Sequence, residues 1–135
     1  LGSQYWSRRP HKSDYNARYG ILLDLVGAPG STFYKEGISV AYAGNLVDKI
    51  WKIAHKTGHA KYFINENGGY VTDDHYYVNE FLGLPCVDII NYDPTCENSS
   101  FGPTWHTVND NISNIDRNTL KAVGQTVMDV IYNEK

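Results

Sequence analysis

Two continuous apolar runs predict the strands of this chain. Residues 19–27 form the first run, which one acidic residue interrupts and which ends in a Gly-Ala-Pro-Gly turn. Residues 84–90 form the second run. A short, uninterrupted apolar run bounded by turn residues is typical of a strand buried on both faces. We therefore predict that residues 19–27 form a central strand of a sheet and that residues 84–90 form a second buried strand.

Two helices are predicted by apolar residues spaced three or four positions apart. The first covers residues 40–56, and Gly58 supplies its stop signal. Its apolar stripe consists of Ala43, Val47, Ile50 and Ala54. The second follows an N-cap at Asp116 and closes the chain. Its stripe consists of Leu120, Val123, Val127, Val130 and Ile131. Strand and helix alternate, so we predict an α/β fold with a mainly parallel mixed sheet flanked by helices.

The remaining segments are polar and irregular. Residues 1–18 are typical of the end of one element followed by a loop, and a glycine pair at 68–69 indicates a turn. Residues 78–82 predict one or two helical turns that end at Gly83. A loop rich in Asn, Asp, Ser, Gly and Pro extends over residues 92–115. Loops of this length usually carry function.

Composition limits the classes of function. The chain has 135 residues, 41% of them hydrophobic, which is enough for one domain or part of one with a real core. Its net charge of −3 argues against a nucleic-acid partner, and no apolar run reaches the roughly 20 residues of a membrane-spanning helix. Cys86 and Cys96 alone cannot form a tetrahedral zinc site, and we expect Cys86 to lie in the core. Two cysteines leave the compartment, and any disulfide, undecided.

Asp24 is the first candidate for chemistry, because it interrupts the apolar run of residues 19–27. A carboxylate in that setting must be paired, hydrogen-bonded or bound to a metal. The turn residues after it place Asp24 near the carboxyl end of the strand, where open α/β sheets bind ligands. The alternative is a structural carboxylate that caps a neighbouring helix.

Two further polar groups are candidates. Asp73, Asp74 and His75 are consecutive, and on an extended chain Asp73 and His75 would share a face while Asp74 points away. The alternative is a solvated acidic turn. His106 follows Trp105 in the long loop, where it is a ligand, a general base or simply a packed side chain.

Other motifs argue against competing functions. His55 and His59 have the spacing of helical zinc ligands, but Gly58 should end the helix first and no Glu follows His55. We expect no metal there. The chain also has no nucleophile elbow of the serine hydrolases and no phosphate-binding loop of the nucleotide triphosphatases.

Three motifs in register resemble the C-terminal half of the glutaminyl-peptide cyclotransferases, which belong to the superfamily of zinc-dependent exopeptidases. They are the segments 21–29 (Ile-Leu-Leu-Asp-Leu-Val-Gly-Ala-Pro), 73–75 (Asp-Asp-His) and 101–107 (Phe-Gly-Pro-Thr-Trp-His-Thr). The resemblance spans nearly the whole chain. It implies a zinc-exopeptidase-like fold in which residues 1–135 are the C-terminal part of a single catalytic domain.

The resemblance also implies roles for individual residues. His106 matches a zinc ligand, and Phe101 and Trp105 match aromatic residues that line the substrate pocket. Asp24 and Asp73 match two hydrogen-bonded carboxylates of the catalytic network, and in double-zinc aminopeptidases Asp24 matches a ligand of the second zinc. Such close acids share a proton, which raises one apparent pKa.

The chain departs from the family pattern in ways that matter. The family's remaining zinc ligands and its catalytic Glu precede the segment at which this chain begins, so we expect the chain alone to be an inactive fragment. One histidine cannot hold a catalytic zinc, which needs about three protein ligands. Thr72 stands where animal cyclases commonly have Gln, and Tyr76 and Tyr77 replace an Ile-Pro pair.

The expected function of the intact enzyme is zinc-dependent acyl transfer, which cyclises the N-terminal glutamine of a peptide to pyroglutamate and releases ammonia. The alternative is a zinc aminopeptidase with two metals instead of one, and a third possibility is a non-catalytic binding module with this fold. The expected partners are peptides or proteins with a free N-terminus. The resemblance further implies a periplasmic or secreted location, and the oligomeric state stays open.

Overall fold

The computed structural model describes residues 2–134 and consists of helices around short strands. The strands are β1 (Gly20–Asp24), β2 (Phe33–Lys35), β3 (Phe63–Asn67) and β4 (Cys86–Ile90). The helices are α1 (Gly2–Arg8), α2 (Gly37–Lys56), α3 (Asp74–Tyr77) and α4 (Arg117–Tyr132). A π-helical turn, Val78–Leu82, continues α3, and a 3₁₀ turn, Ile112–Asn114, lies in the long loop.

The strands pair in parallel, as the alternation of strand and helix predicts. β1 pairs with β4 in the register Gly20 to Cys86, and β2 pairs with β3 across the connection formed by α2. One antiparallel bridge, between Phe33 and Asn91, links the two pairs. The α/β prediction of a mainly parallel, mixed arrangement flanked by helices is therefore confirmed.

The prediction that residues 19–27 form a central strand buried on both faces is wrong for the described residues. Among residues 2–134, β1 pairs with β4 only, and the Leu23 side chain is 45% exposed. The strand is also shorter than predicted. It ends at Asp24 because Leu25 has a positive φ of 53°, a left-handed conformation that breaks the extended chain.

The core lies on one face of the β1 and β4 pair. Val87 and Ile89 of β4 are fully buried, and they belong to one cluster with residues of α2 and α4. The cluster includes Val47, Ile50, Trp51, Val123 and Val130. The alternation of side chains along a strand places Asp88 and Cys86 on the opposite face of β4. That face carries the polar chemistry described below, and Cys86 is buried there as predicted.

Both long helices differ in detail from their predictions. α2 begins three residues early, at Gly37, because the Glu36 side chain caps it, and it is kinked at Ala43. α4 is capped by Asp116 as predicted. Two members of its predicted apolar stripe, Leu120 and Ile131, are exposed instead.

Two buried threonines occupy positions on the face of α4 that packs against the core. Thr119 hydrogen-bonds Asp116, and Thr126 donates to the carbonyl of Ala122, so both hydroxyls are satisfied inside the core. A polar residue that bonds its own helix is compatible with burial. This is why apolar periodicity alone misplaced the buried face.

Within residues 2–134, no helix has the length and apolar character needed to cross a membrane.

Candidate active site

Asp24 and Asp73 meet at the carboxyl end of β1. Asp24 is the last residue of β1, and its side chain is hydrogen-bonded to that of Asp73. Asp73 occupies the cap position of α3, where its carboxylate accepts the backbone N–H of Asp74 at 2.6 Å. The predicted position of Asp24 at the strand edge and its predicted contact with Asp73 are both confirmed.

The closeness of the two acids favours a bound proton. Two ionised carboxylates have only acceptors, so a hydrogen bond between them forms only when one of them is protonated. Burial raises the pKa of Asp24 above its usual value, and the negative charge and hydrogen bond of Asp73 raise it further. A hydrogen bond from the backbone of Leu25 opposes this rise in part. The pair can therefore give or take a proton closer to neutral pH than an isolated aspartate.

A pocket of about 260 Å³ opens beside the acid pair. It is lined by Asp24, Val71, Thr72, Asp73, Ile90, Phe101, Trp105 and His106. The five residues that the sequence singles out for substrate, metal or proton chemistry are all in this set. The structure thus brings together, around one concave site, residues from a strand end, a helix cap and the long loop.

The aromatic wall of the pocket comes from the loop of residues 92–115. Asn91 anchors this loop by donating its side-chain amide to the carbonyl of Phe101 at 2.9 Å. The Phe101 and Trp105 rings pack with centroids 5.1 Å apart, and the Trp105 and His106 rings stack at 3.9 Å. His106 adopts a left-handed backbone with φ of 56°. This uncommon conformation, together with the stack, fixes where the imidazole lies on the rim.

The prediction that Asp73 and His75 share a face is wrong. Residues 74–77 are helical, and this turns the His75 side chain away from the pocket into the interior. The imidazole is 0% exposed and lies between two carboxyl groups. Its Nε2 is 2.9 Å from Oε2 of Glu36, and its Nδ1 is 3.6 Å from Oδ2 of Asp88.

Glu36 is a buried residue close to the candidate site, and the sequence analysis did not identify it. Its carboxylate accepts the backbone N–H groups of Ile38, Ser39 and Val71 at 2.7 to 2.9 Å, and also the hydroxyl of Ser39 and Nε2 of His75. Burial alone would raise its pKa, but the hydrogen bonds from His75 and the backbone outweigh burial and lower the pKa to about 2. Glu36 is therefore ionised at neutral pH.

Asp88 is the second residue that was missed. It is fully buried on β4, and burial together with the nearby acids Asp73 and Asp24 raises its pKa to about 8. The sequence did contain a signal, because Asp88 interrupts the apolar run of residues 84–90 in the same way as Asp24 interrupts the first run. The same argument applied to both acids would have found it.

The candidate site contains possible metal donors but no complete metal-binding group within residues 2–134. Among residues 2–134, no three His, Cys, Asp or Glu side chains form a group that could hold a metal ion. His106 and Asp24 line the same pocket, and imidazole and carboxylate are donors that suit zinc. His55 and His59 bind different partners. Helix α2 ends before His59. Nε2 of His55 lies 2.6 Å from the carbonyl oxygen of Phe63, and Nε2 of His59 lies 3.1 Å from the side-chain oxygen of Gln125.

Comparison with known proteins identifies the family. Residues 1–131 match the model of peptidase family M28, so the chain belongs to this family. It is 33% identical, over 125 residues, to the glutaminyl-peptide cyclotransferase of Bos taurus, covering 82% of this chain and 32% of the bovine protein. The resemblance inferred from the three motifs is thereby confirmed.

Solved structures agree in fold. A glutaminyl cyclase from Tannerella forsythia superposes with a TM-score of 0.95 at 58% identity, covering 100% of this chain and 46% of that structure. A Zn-dependent exopeptidase from Parabacteroides distasonis superposes with a TM-score of 0.95 at 51% identity, covering 99% of this chain and 46% of that one. The zinc-exopeptidase-like fold is therefore confirmed, and the chain spans less than half the length of these relatives.

Proposed function

We propose that the intact protein cyclises the N-terminal glutamine of peptides to pyroglutamate. The α-amine nitrogen attacks the γ-carbonyl carbon, a C–N bond forms, the bond to the amide nitrogen breaks, and ammonia leaves with the proton lost by the amine. The observation that carries this proposal is the juxtaposition of the Asp24 and Asp73 pair with an aromatic pocket that ends at His106. The names of the Bos taurus and Tannerella forsythia relatives support it.

The acid pair controls the proton in this scheme. The proton that leaves the α-amine must reach the departing ammonia, and a carboxylate from outside this chain would carry it as general base and then general acid. Asp24 and Asp73 hold one proton beside the pocket, so they orient that carboxylate and set its affinity for the proton. Their partial burial keeps this interaction strong, because fewer waters screen it.

The aromatic wall binds the substrate. Trp105 and Phe101 present flat, apolar surfaces to a substrate that must fold into a five-membered ring, and they exclude water that would hydrolyse the amide. Thr72 and Val71 also line this pocket of about 260 Å³, which suits one small side chain. We infer that specificity for glutamine comes from this limited, flat volume.

His106 is the proposed zinc ligand contributed by this chain. Zinc, when bound, polarises the γ-carbonyl as a Lewis acid. The stack with Trp105 and the left-handed backbone orient the imidazole at the rim, and the remaining ligands would come from residues outside this chain. One zinc per enzyme is the number that this proposal requires.

A zinc aminopeptidase is the second candidate. The position of Asp24 in the same pocket as His106 favours it, because a carboxylate there can ligate a second metal. The Parabacteroides distasonis relative, whose name is Zn-dependent exopeptidase, also supports it. In that case the substrates would be varied N-terminal residues. The third possibility, a non-catalytic binding module, gains no specific support from the pocket.

One assay separates these functions. The full-length protein is given a glutaminyl peptide and a leucyl peptide, and pyroglutamyl product, ammonia and free leucine are measured together with bound zinc. Cyclisation with one bound zinc and no leucine release supports the cyclase, whereas leucine release with two bound zincs rejects it.

We also propose a periplasmic or secreted location, which fractionation of the source cells would test.

A further inference from the structure

The buried His75 and Asp88 side chains leave three polar atoms without a hydrogen bond. Within the described part of the chain, Nδ1 of His75 and both carboxyl oxygens of Asp88 have no partner at hydrogen-bond distance. Both side chains are 0% exposed. An unpaired polar group in a dry interior costs about 1 to 3 kcal/mol, so three such atoms on two neighbouring side chains need an explanation.

The partner of Nε2 fixes which ring nitrogen must carry a hydrogen. Glu36 accepts hydrogen bonds from backbone amides, a hydroxyl and His75, and an ionised carboxylate can only accept. Nε2 therefore donates to Glu36. Nδ1 then faces Oδ2 of Asp88 at 3.6 Å, just beyond a normal hydrogen bond.

A single proton satisfies the gap between Nδ1 and Oδ2. If Asp88 is protonated, its O–H donates to Nδ1; if His75 is doubly protonated, Nδ1–H donates to the Asp88 carboxylate. Both arrangements contain one proton and no net charge. Loss of that proton would leave a lone pair facing a carboxylate in the interior, which is strongly unfavourable.

Four acidic side chains from three other elements lie close enough to Asp88 to raise its pKa. Asp24 comes from β1, Asp73 and Asp74 from the start of α3, and Glu36 from the cap of α2. Cys86, on the same strand, is a thiol whose pKa burial and Asp88 raise to about 12, so it stays neutral. An ionised Asp88 would therefore add a negative charge beside the Asp24 and Asp73 pair.

We propose that Asp88 and His75 are positioning residues of the proposed active site, which share one proton, so that this buried pair adds no net charge near Asp24 and Asp73. The inference rests on the proposed function only in assigning an activity to that acid pair. While the His75 and Asp88 pair is neutral, the proton of Asp24 and Asp73 can be exchanged. If Asp88 lost its proton, the added repulsion would bind that proton too tightly for transfer.

The first test reads the shared proton without any substrate. The full-length protein is labelled with ¹⁵N-histidine, and the signals of His75 are assigned with His75→Gln. We expect Nε2 to carry a hydrogen, as its contact with Glu36 requires. The Nδ1 signal should move with a midpoint near 8 in the wild type, and this movement should be absent in Asp88→Asn. An identical Nδ1 titration in both proteins would overturn the shared proton.

The second test reads the influence on the acid pair. The pH profile of kcat/KM is measured with whichever peptide the full-length protein turns over. The wild-type profile should show an ionisation near 8, and the profile of Asp88→Asn should lack it. Asp74→Asn is the matched control, because it removes the same charge from an exposed neighbour and should keep that ionisation. A profile of Asp88→Asn that superimposes on the wild type would overturn the positioning role.

Two safeguards keep the outcomes decisive. If Asp88→Asn does not fold, Asp88→Ala replaces it, since a small apolar side chain removes the carboxyl group without overfilling the interior. If the wild type turns over neither peptide, the proposed function and the positioning role both fall. The histidine spectra still decide whether the proton is shared, so the two failures are distinguishable.

Discussion

The carboxyl groups of Asp24 and Asp73 are hydrogen-bonded to each other, although one ends a strand and the other caps a helix. Neither local role requires the other residue. A strand end needs no acid, and a cap is satisfied by its own helix. Their contact therefore places two acids side by side at a cost in charge repulsion, which raises the pKa of Asp24.

Replacing either member of the acid pair should impair activity in the same way. Asp24→Asn and Asp73→Asn each keep a hydrogen bond but remove the exchangeable proton, so kcat/KM of the full-length protein should fall by about 10²-fold in each. Because the residues act as one unit, the double variant should be little worse than either single variant. Steady-state kinetics on glutaminyl peptides measures this.

Asp74→Asn serves as the control for the pair, since Asp74 is an exposed acid next to Asp73 that does not line the pocket, and the variant should keep nearly full activity. Multiplicative losses in the double variant would mean that Asp24 and Asp73 act independently.

The two stacked rings of the pocket should have separate roles. Trp105→Ala removes the flat binding surface and should raise KM about tenfold with a smaller change in kcat. His106→Ala removes the proposed metal ligand and should lower zinc content together with kcat, by about 10²-fold or more. Zinc analysis and steady-state kinetics of the full-length protein separate the two effects.

Val108→Ala is a control in the same loop, because the Val108 side chain is 93% exposed and should contribute to neither parameter. Substantial turnover and full zinc content in His106→Ala would make this histidine a packing residue only.

Glu36 should make the protein sensitive to acid. Its pKa is lowered to about 2, from 4.5 for a free glutamate, so the ionised form stabilises the fold above about pH 4.5 and this contribution is lost as the pH falls towards 2. The full contribution is about 3 kcal/mol. Urea unfolding of the full-length protein at several pH values should show this loss in the wild type.

Glu36→Gln should be less stable than the wild type at neutral pH, and the difference should shrink at low pH because the variant has no carboxylate to protonate. Glu66→Gln, at an exposed position of β3, provides the comparison. If the free energy of unfolding depended on pH in the same way in Glu36→Gln and Glu66→Gln, the role of Glu36 would be contradicted.

Asn79 should be essential for stability and not for chemistry. In the π-helical turn its side chain donates to the carbonyls of His75 and Cys86 and accepts the N–H of Cys86, all within 2.9 Å. Asn79→Ala leaves these buried groups unpaired and should lower the free energy of unfolding by about 3 kcal/mol. Chemical denaturation measures it.

The exposed Asn118→Ala should stay within about 0.5 kcal/mol of the wild type. An equally small effect of Asn79→Ala would show that water replaces its hydrogen bonds.

The sequence was sufficient for those parts of the fold and site that depend on local patterns. The Asp116 cap, the Gly83 stop, which adopts a left-handed φ of 67°, and the strand edge at Asp24 are all set by a few neighbouring residues. The motif resemblance then identified Asp73, which periodicity alone could not connect to Asp24. Their contact joins segments far apart in the chain.

The parts that failed depend on tertiary packing. The strands β2 and β3 are short and mostly polar, and only Phe33 and Phe63 are buried in them, so no alternation marks them as strands. Burial of His75 is set by the helical turn after Asp73, which contains only four residues. Propensity gives little information for an element that short, because its conformation is fixed by its neighbours.

The pairing of β1 with β4 has a consequence for how the protein folds. Gly20 and Cys86 are register partners in the sheet, yet about half of the described chain separates them. Closing so long a loop is slow, because its entropy must be lost before the new contacts repay it. α2 and α4 are local structures that can form early, whereas the acidic pocket needs this closure and the docking of the long loop. The carboxylates of Asp24 and Asp73 should therefore remain apart and charged before this closure. They come close enough to share a proton only when β4 has paired with β1.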